Sequence, residues 1–246
     1  MVGEKMEYKD VILAAFIERV NRFIAHCRLE TGELVVVHVK NTGRGKEVLL
    51  PGAVVALQHC PAPTRKTSYD LIAVKKKNAW FNIDSQLPNR LAYEGILDGK
   101  IILPGLAGEV TLLKREVRFE NSKFDLALET TLGEKVFIEV KGMTLENLRI
   151  GAFPDAPTLR GKKHVHELAD AIKEGYRSYV LFIIQFEEVQ LATIHTAMQE
   201  ELRNEFLQAM ADGVQVLAYN CIVEPNTVTV KEAIPFELDY PFIDPN

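Results

Sequence analysis

The chain has 246 residues, 47% of them hydrophobic and 26% charged, and carries a net charge of −5. This is globular composition with material for a sizeable core, and it excludes a disordered chain, a fibrous repeat or a uniformly basic nucleic-acid coat. The longest apolar runs, VILAAFI and YVLFII, fall far short of the roughly 20 residues that a membrane helix needs, so no membrane association is expected.

The opening MVGEKMEYKD mixes both charge signs and has no apolar h-region, so a secretory signal is not expected. Cys27, Cys60 and Cys221 are widely spaced with no CxxC pair. That argues against a disulfide framework or a zinc site and for the reducing cytoplasm. Charge is unevenly spread. Residues 1–85 hold 13 Lys and Arg against 9 Asp and Glu, whereas residues 187–246 hold 2 against 11. A front half with a positive excess can face a polyanion, although surface charge also serves solubility alone.

In chain order, residues 11–85 read as strands separated by turns. The candidates are Val11 to Arg28 (with a bend), Leu34 to Val39, Ala53 to Cys60, Ser68 to Lys77 and Ala79 to Asp84. Thr31-Gly32, Asn41-Thr42-Gly43 and Pro51-Gly52 punctuate them. Five short strands without a helix suit a small OB-like β-barrel; an SH3-like barrel or part of a sandwich shares the pattern.

From residue 86 the grammar changes. RLAYEGIL is amphipathic and helical in period, and strands follow at Val110 to Phe119, Lys123 to Glu129 and Lys135 to Gly142. Thr158 is placed to N-cap a helix through about Glu174. Its apolar stripe is Val165, Leu168, Ala169 and Ile172, with Arg160, His164 and Glu167 on a neighbouring stripe. A buried-type strand at Ser178 to Phe186, a helix over Thr196 to Ala211 and a strand at Val214 to Cys221 complete the order. Helices crossing between strands in this way predict an α/β domain with a mixed central sheet over residues 86–246, after a barrel domain over residues 1–85.

Within FDLALETTLGEKVFIEVKG, Glu139 and Lys141 share one face of a strand and Val136, Ile138 and Val140 the other. A hairpin turn around residues 130–134 brings Asp125 near the level of Glu139 and Lys141. Two carboxylates can hold a hard cation such as Mg²⁺ or Mn²⁺, which keeps several waters and also takes a phosphate oxygen. A lysine beside them steadies charge that builds on a phosphoryl group. As a bare pattern, D-x13-E-x-K also describes a structural salt bridge at a strand end.

The element order with D…E-x-K on the second and third strands of the sheet resembles the PD-(D/E)xK nuclease superfamily, with Phe124 in place of the proline. That resemblance implies a further acid on the preceding helix, where Glu94 falls. A second resemblance covers nearly the whole chain. FPDAPTLRGKKHVHEL (residues 153–168) is similar to the FPDA-x-T-x-RG-x-KH-x-x-EL signature of the sugar fermentation stimulation protein A family. HVKNTG, LLPG, Arg65-Lys66, PNRLAYE, EVRFENSKFD, IEVKGMTL and GVQVLAY support it. Val39-Lys40 stands where that family has a Cys-Pro pair.

The resemblance implies an OB-like domain joined to a PD-(D/E)xK nuclease-like domain. It also implies DNA binding without strong sequence preference and a bacterial role in sugar use, maltose especially. Carried over, the site is Asp125, Glu139 and Lys141, with Glu116, Arg160, Lys163, His164 and Glu167 as further candidates. His164 would act as acid, base or partner of a ligand, or simply pack beside the sheet. Arg65, Lys66, Arg160 and Lys163 would contact phosphates. Tyr69, Trp80 and Phe81 would stack bases or fill the barrel core. Three functions remain open: a Mg²⁺- or Mn²⁺-dependent deoxyribonuclease, a non-catalytic DNA-binding regulator, and an RNA- or nucleotide-binding protein.

Overall fold

The computed structural model describes residues 6–41, 43–120 and 122–246. Thr42 and Asn121, which fall inside two of the strings quoted above, and the first five residues lie outside the described set.

The first half is a barrel. β2 (Val11–Arg19), β3 (Ile24–Leu29), β4 (Leu34–Val39), β5 (Val54–His59) and β6 (Tyr69–Lys76) form an otherwise antiparallel sheet. It closes on itself because β4 also pairs in parallel with β6, from Val37–Tyr69 to Val39–Leu71. Closure of five strands is the OB architecture and excludes an open sandwich. The expected strand from Val11 to Arg28 is in fact β2 and β3, joined by a tight turn that Asn21 Oδ1 holds through Phe23 N and Ile24 N. β7 (Ala79–Asn82) extends β6 as a hairpin. Phe81 is buried in the core and stacks on Phe186 at 4.5 Å, so it is unavailable to bases.

The second half is a layered α/β domain with the predicted mixed sheet. Its strand order is β1-β16-β15-β13-β10-β9-β8, built from β1 (Met6–Glu7), β8 (Val110–Phe119), β9 (Ser122–Thr130), β10 (Lys135–Met143), β13 (Arg177–Ile184), β15 (Gln215–Val223) and β16 (Thr227–Ile234). β10, β13 and β15 run parallel; the others are antiparallel. α1 (Leu87–Leu97) starts with Pro88 in its first turn, where proline fits a helix start. It packs Leu91, Ala92 and Ile96 on the face of Val136, Ile138 and Val140. α2 (Leu159–Lys173) and α3 (Glu200–Ala211) cover the opposite face, that of Phe137 and Phe182. α3 begins at Glu200, four residues later than expected; its N-cap position, Gln199, makes no side-chain cap.

A small second sheet of β11 (Leu145–Asn147), β12 (Ile150–Phe153) and β14 (Leu191–Ile194) was not foreseen. Neither were β16 and the short β1, which pairs Met6 with Val228. The strands of two to four residues are too short to show a period of two, whereas β16 spans eight residues and opens on TVTV, an alternation that the sequence does carry. Among the described residues no helix is long and apolar enough to cross a membrane, and the three cysteines are free thiols.

The two halves meet in a buried polar cluster. Asp84 accepts from Lys40 Nζ at 2.6 Å, Tyr8 Oη at 3.2 Å and Gln86 N at 2.9 Å. Asn82 donates to Tyr8 Oη, and Gln185 donates to both Asn82 Oδ1 and the Asp84 carbonyl. Lys40, the departure from the family's Cys-Pro pair, is thus the charge partner of Asp84 here.

A second contact holds the HVKNTG loop. The Arg19 guanidinium donates to the carbonyls of Arg22, Asn41, Gly43 and Arg44, and Arg44 N donates to Asp155 of the FPDA string at 2.9 Å. A Cβ at Gly43 would run into that Asp155 carboxylate.

Lys40→Met leaves Asp84 buried without its cation, and such a loss costs about 3 kcal/mol. Urea unfolding should show the midpoint fall with little change in slope, and an unchanged midpoint would mean that the junction does not depend on this pair.

Candidate metal and nucleic-acid site

The β9–β10 ladder runs from Glu129–Lys135 to Leu126–Ile138 and stops there. Asp125 is the next residue of β9, and its side chain takes over the role of a backbone acceptor. Oδ2 accepts from Val140 N at 2.9 Å, and Oδ1 accepts from Asn89 Nδ2 of α1 at 2.7 Å. The hairpin therefore brings Asp125 to the level of Glu139, as its turn length requires, and the end of pairing is what frees Val140 N to hold it.

Glu139 lies on β10, whose other edge is sealed by β13, and is 1% exposed. Lys141 Nζ donates to its Oε1 at 2.5 Å, and His164 Nδ1 is hydrogen-bonded to the same oxygen. The second oxygen, Oε2, is buried without a hydrogen-bond partner. His164 comes from α2. That helix is N-capped by Thr158, whose Oγ1 accepts from Gly161 N at 2.9 Å, and anchored by the buried stripe of Val165, Leu168 and Ala169. This rotation sets His164 over the charged face of β10. Arg160, one turn earlier, donates from Nε to His164 Nε2 at 3.3 Å. A carboxylate only accepts, so the hydrogen-bond network assigns a proton to Nδ1 of His164 and makes the ring a donor to Glu139.

Environment drives the two carboxylates apart. Burial, reinforced by the charge of Glu139, pushes Asp125 above the usual carboxylate range, against the pull of Val140 N–H, Lys141 and Asn89. Burial also works against ionisation of Glu139, but the hydrogen bond from His164 and the charge of Lys141 overcome it and hold that group below its usual range.

Beside this cluster, α2 and the β8–β9 hairpin enclose an open cleft of about 720 Å³ lined by Arg118, Ser122, Lys123, Leu159, Arg160, Lys163 and His164. Four cations line it and no acid does. His164 is the residue common to cleft and carboxylates.

The other expected residues are placed as follows. Glu94 is ion-paired with Arg90 one turn earlier at 2.6 Å; the α1 residue that reaches Asp125 is Asn89. Glu116 is exposed and paired with Lys123 at 2.6 Å. Glu167 is paired with Lys163 at 3.6 Å, and its Oε2 is buried without a hydrogen-bond partner. Arg65 is held by Asp70 through both guanidinium nitrogens, while Lys66 is exposed on the same loop. Asn89, Arg118 and the Val140 N–H escaped the sequence reading. Asn89 lies in the quoted PNRLAYE string but has no acid to mark it, and a backbone donor has no sequence signal at all.

Among the described residues no three His, Cys, Asp or Glu side chains form a ready cage for a metal. A small hard cation does not need one, because it retains waters and takes one or two carboxylates. The partnerless Oε2 of Glu139, in the field of Asp125, offers such an ion an oxygen that the protein itself leaves unused. The residues present therefore fit a hard divalent cation.

A closed OB barrel followed by a mixed α/β sheet with an aspartate and an E-x-K on adjacent strands makes a two-domain protein whose second domain is nuclease-like in its element order. Comparison with known proteins makes this specific. Residues 17–83 match the family described as the SfsA N-terminal OB domain, and residues 86–227 match the sugar fermentation stimulation protein RE domain. A sugar fermentation stimulation protein homolog of Enterococcus mundtii is 63% identical over 98% of this chain and all of its own length. The homolog of Ruminiclostridium cellulolyticum is 42% identical over 95% of this chain and all of its own. Among solved structures, that of Pyrococcus furiosus SfsA in complex with Ca²⁺ is similar, with a TM-score of 0.82 and 25% identity over 95% of this chain and 98% of that one. The chain belongs to the sugar fermentation stimulation protein A (SfsA) family.

Because the folded state raises the pKa of Asp125, its ionised form weakens the fold. The stability linked to its protonation is complete below the unfolded pKa and disappears as pH rises through the folded one. Asp125→Asn keeps the acceptor for Val140 N, and a flipped Asn89 amide can accept from its new NH₂. In EDTA the variant should therefore melt higher than the parent at pH 7, with the gap closing as pH falls towards 4. A variant that melts lower at pH 7 would show that the charge is stabilising there.

Proposed function

We propose that this chain binds DNA with little sequence preference and holds a divalent cation, Mg²⁺ or Mn²⁺, at Asp125 and Glu139 for phosphodiester hydrolysis. The observation that carries the reading is the buried, partnerless Oε2 of Glu139 beside a cleft lined by four cations. The similar Pyrococcus structure, described as a complex with Ca²⁺, supports a cation site in the family. When bound, such a cation would polarise a phosphoryl oxygen and lower the pKa of a coordinated water.

The chain's own groups would do the rest. Asp125 and Glu139 supply the oxygens. Lys141 lies on Glu139 Oε1, and on cation binding its ammonium can turn to the phosphate to steady the charge that develops there. His164 keeps Glu139 ionised. Arg118, Lys123, Arg160 and Lys163 would track the sugar–phosphate backbone, with Lys66 as an outlying contact on the barrel. By the name its relatives carry, the cellular role would be in sugar use, for which the family resemblance implies maltose as the sugar, and a cytoplasmic site of action agrees with three free thiols.

A second reading is a DNA-binding regulator that does not cleave. It is favoured by Asp125, both of whose oxygens are already engaged by protein donors. Mn²⁺ titration calorimetry on the parent chain and on Glu139→Ala tests the cation site: heat from the first and none from the second is expected. Nicking of plasmid in Mn²⁺ by the parent, lost in Asp125→Ala, selects hydrolysis; equal background from both selects the regulator. If each cleft cation neutralises one phosphate, log K against log salt should have a slope of about −3 to −4, and Lys123→Ala should reduce it by about 1. A salt-independent interaction would remove DNA as the ligand.

A further inference from the structure

One side chain of the cleft reaches the carboxylates through a single intermediary. Arg160 lines the cleft and is exposed, yet its Nε donates to His164 Nε2. His164, 5% exposed, in turn donates to Glu139 Oε1. A guanidinium has five N–H donors in a rigid fork. Among the described residues only one of them, Nε–H, is used by the protein. The fork can therefore keep its Nε on the imidazole and present both terminal nitrogens to a phosphate oxygen pair at the same time.

We propose that Arg160 makes occupancy of the cleft and of the carboxylate site thermodynamically dependent on each other, with His164 as the positioning residue between them. This rests on the reading above that the cleft takes nucleic-acid phosphate and the carboxylates take a cation. With the cleft empty, the full charge of Arg160 stands one imidazole ring away from Glu139 and opposes an arriving cation. A phosphate on the terminal nitrogens cancels that charge at its source. The Nε contact persists, the ring still donates to Oε1, and Oε2 stays open. Each ligand then binds more tightly in the presence of the other, and by linkage the two effects are equal. Arg118 and Lys123 come from the β8–β9 hairpin and have no hydrogen bond to His164. A phosphate on either one acts on the cation only through solvent-screened space.

The test is Mn²⁺ titration calorimetry on the full chain, alone and saturated with a hexathymidylate carrying phosphorothioate linkages, with the heat of Mn²⁺ binding to the oligonucleotide subtracted. The readout is the ratio of the two Mn²⁺ dissociation constants, whatever their absolute values. The parent should show a gain of about fivefold or more. Arg160→Ala should bring the ratio close to one at saturating oligonucleotide, and Arg118→Ala should weaken the oligonucleotide but preserve the ratio. Long-range ¹H–¹⁵N spectra should show Nδ1–H of His164 in the parent and in Arg160→Ala alike, with the Nε2 resonance alone shifted by loss of the guanidinium donor, a selective change that a purely structural role for Arg160 would not cause. An undiminished gain in Arg160→Ala, or a ratio of one in a parent that binds both ligands, overturns the coupling and leaves the proposed function standing. A parent that binds no Mn²⁺ at all overturns both.

Discussion

The second domain is organised around an ionised carboxylate held where water does not reach. Glu139 is in the interior of a seven-stranded sheet, and burial on this scale favours neutralisation unless donors offset it. The offset is one-sided. Oε1 receives Lys141 from its own strand and His164 from the helix above, and Oε2 receives nothing. To deliver His164, α2 must start at Thr158 and bury Val165 and Leu168 beneath it. To leave room for Asp125, β9 must part from β10 at Leu126. The capping threonine, the helix phase and the strand divergence therefore follow from one charge and its uneven compensation.

The barrel is tied to this arrangement by more than a linker. Asp84 and Asn82 at its end share a buried network with Tyr8, Lys40 and Gln185, and α1 starts three residues after Asp84. The helix so fixed carries Asn89, which holds Asp125. At the other side the barrel's HVKNTG loop, gathered by Arg19, rests on Asp155, just ahead of α2. Both helices that furnish polar groups to the carboxylates thus begin beside a contact with the barrel. A shift of the barrel would strain the starts of α1 and α2 together.

Much of this was legible in the sequence because it rests on local chemistry. Turn residues at short intervals gave the barrel, and alternation in VFIEVKG put Glu139 and Lys141 on one face. The Thr158 cap and the stripe of Arg160, His164 and Glu167 read correctly from helical period alone. What escaped depends on contacts remote in sequence. Asn89 meets Asp125 across 36 residues, and a neutral amide beside Arg90 and Glu94 gives no hint of such a task. The face opposite Val136 and Ile138 was expected to be open to a cation; instead α2 covers it and leaves access beside His164. In the acidic last quarter, β14 is too short to announce itself without its partner β12, whereas the TVTV opening of β16 was legible and was passed over.

The short strand β1 has a consequence for how the chain acquires its shape. Met6 pairs with Val228, 222 residues away, and Tyr8, two residues further on, enters the polar cluster at Asp84. Contacts so distant in sequence close late, because the entropy of the intervening loop opposes them until most other contacts exist. During synthesis the barrel has all five strands once residue 76 has emerged, and it can close long before the sheet is complete. The amino-terminal segment must wait for β16 to leave the ribosome. Until then β1 has no ladder partner. The capture of β1 by β16 is therefore a late step of assembly, which seals this side of the junction between the two domains only once residue 234 has emerged.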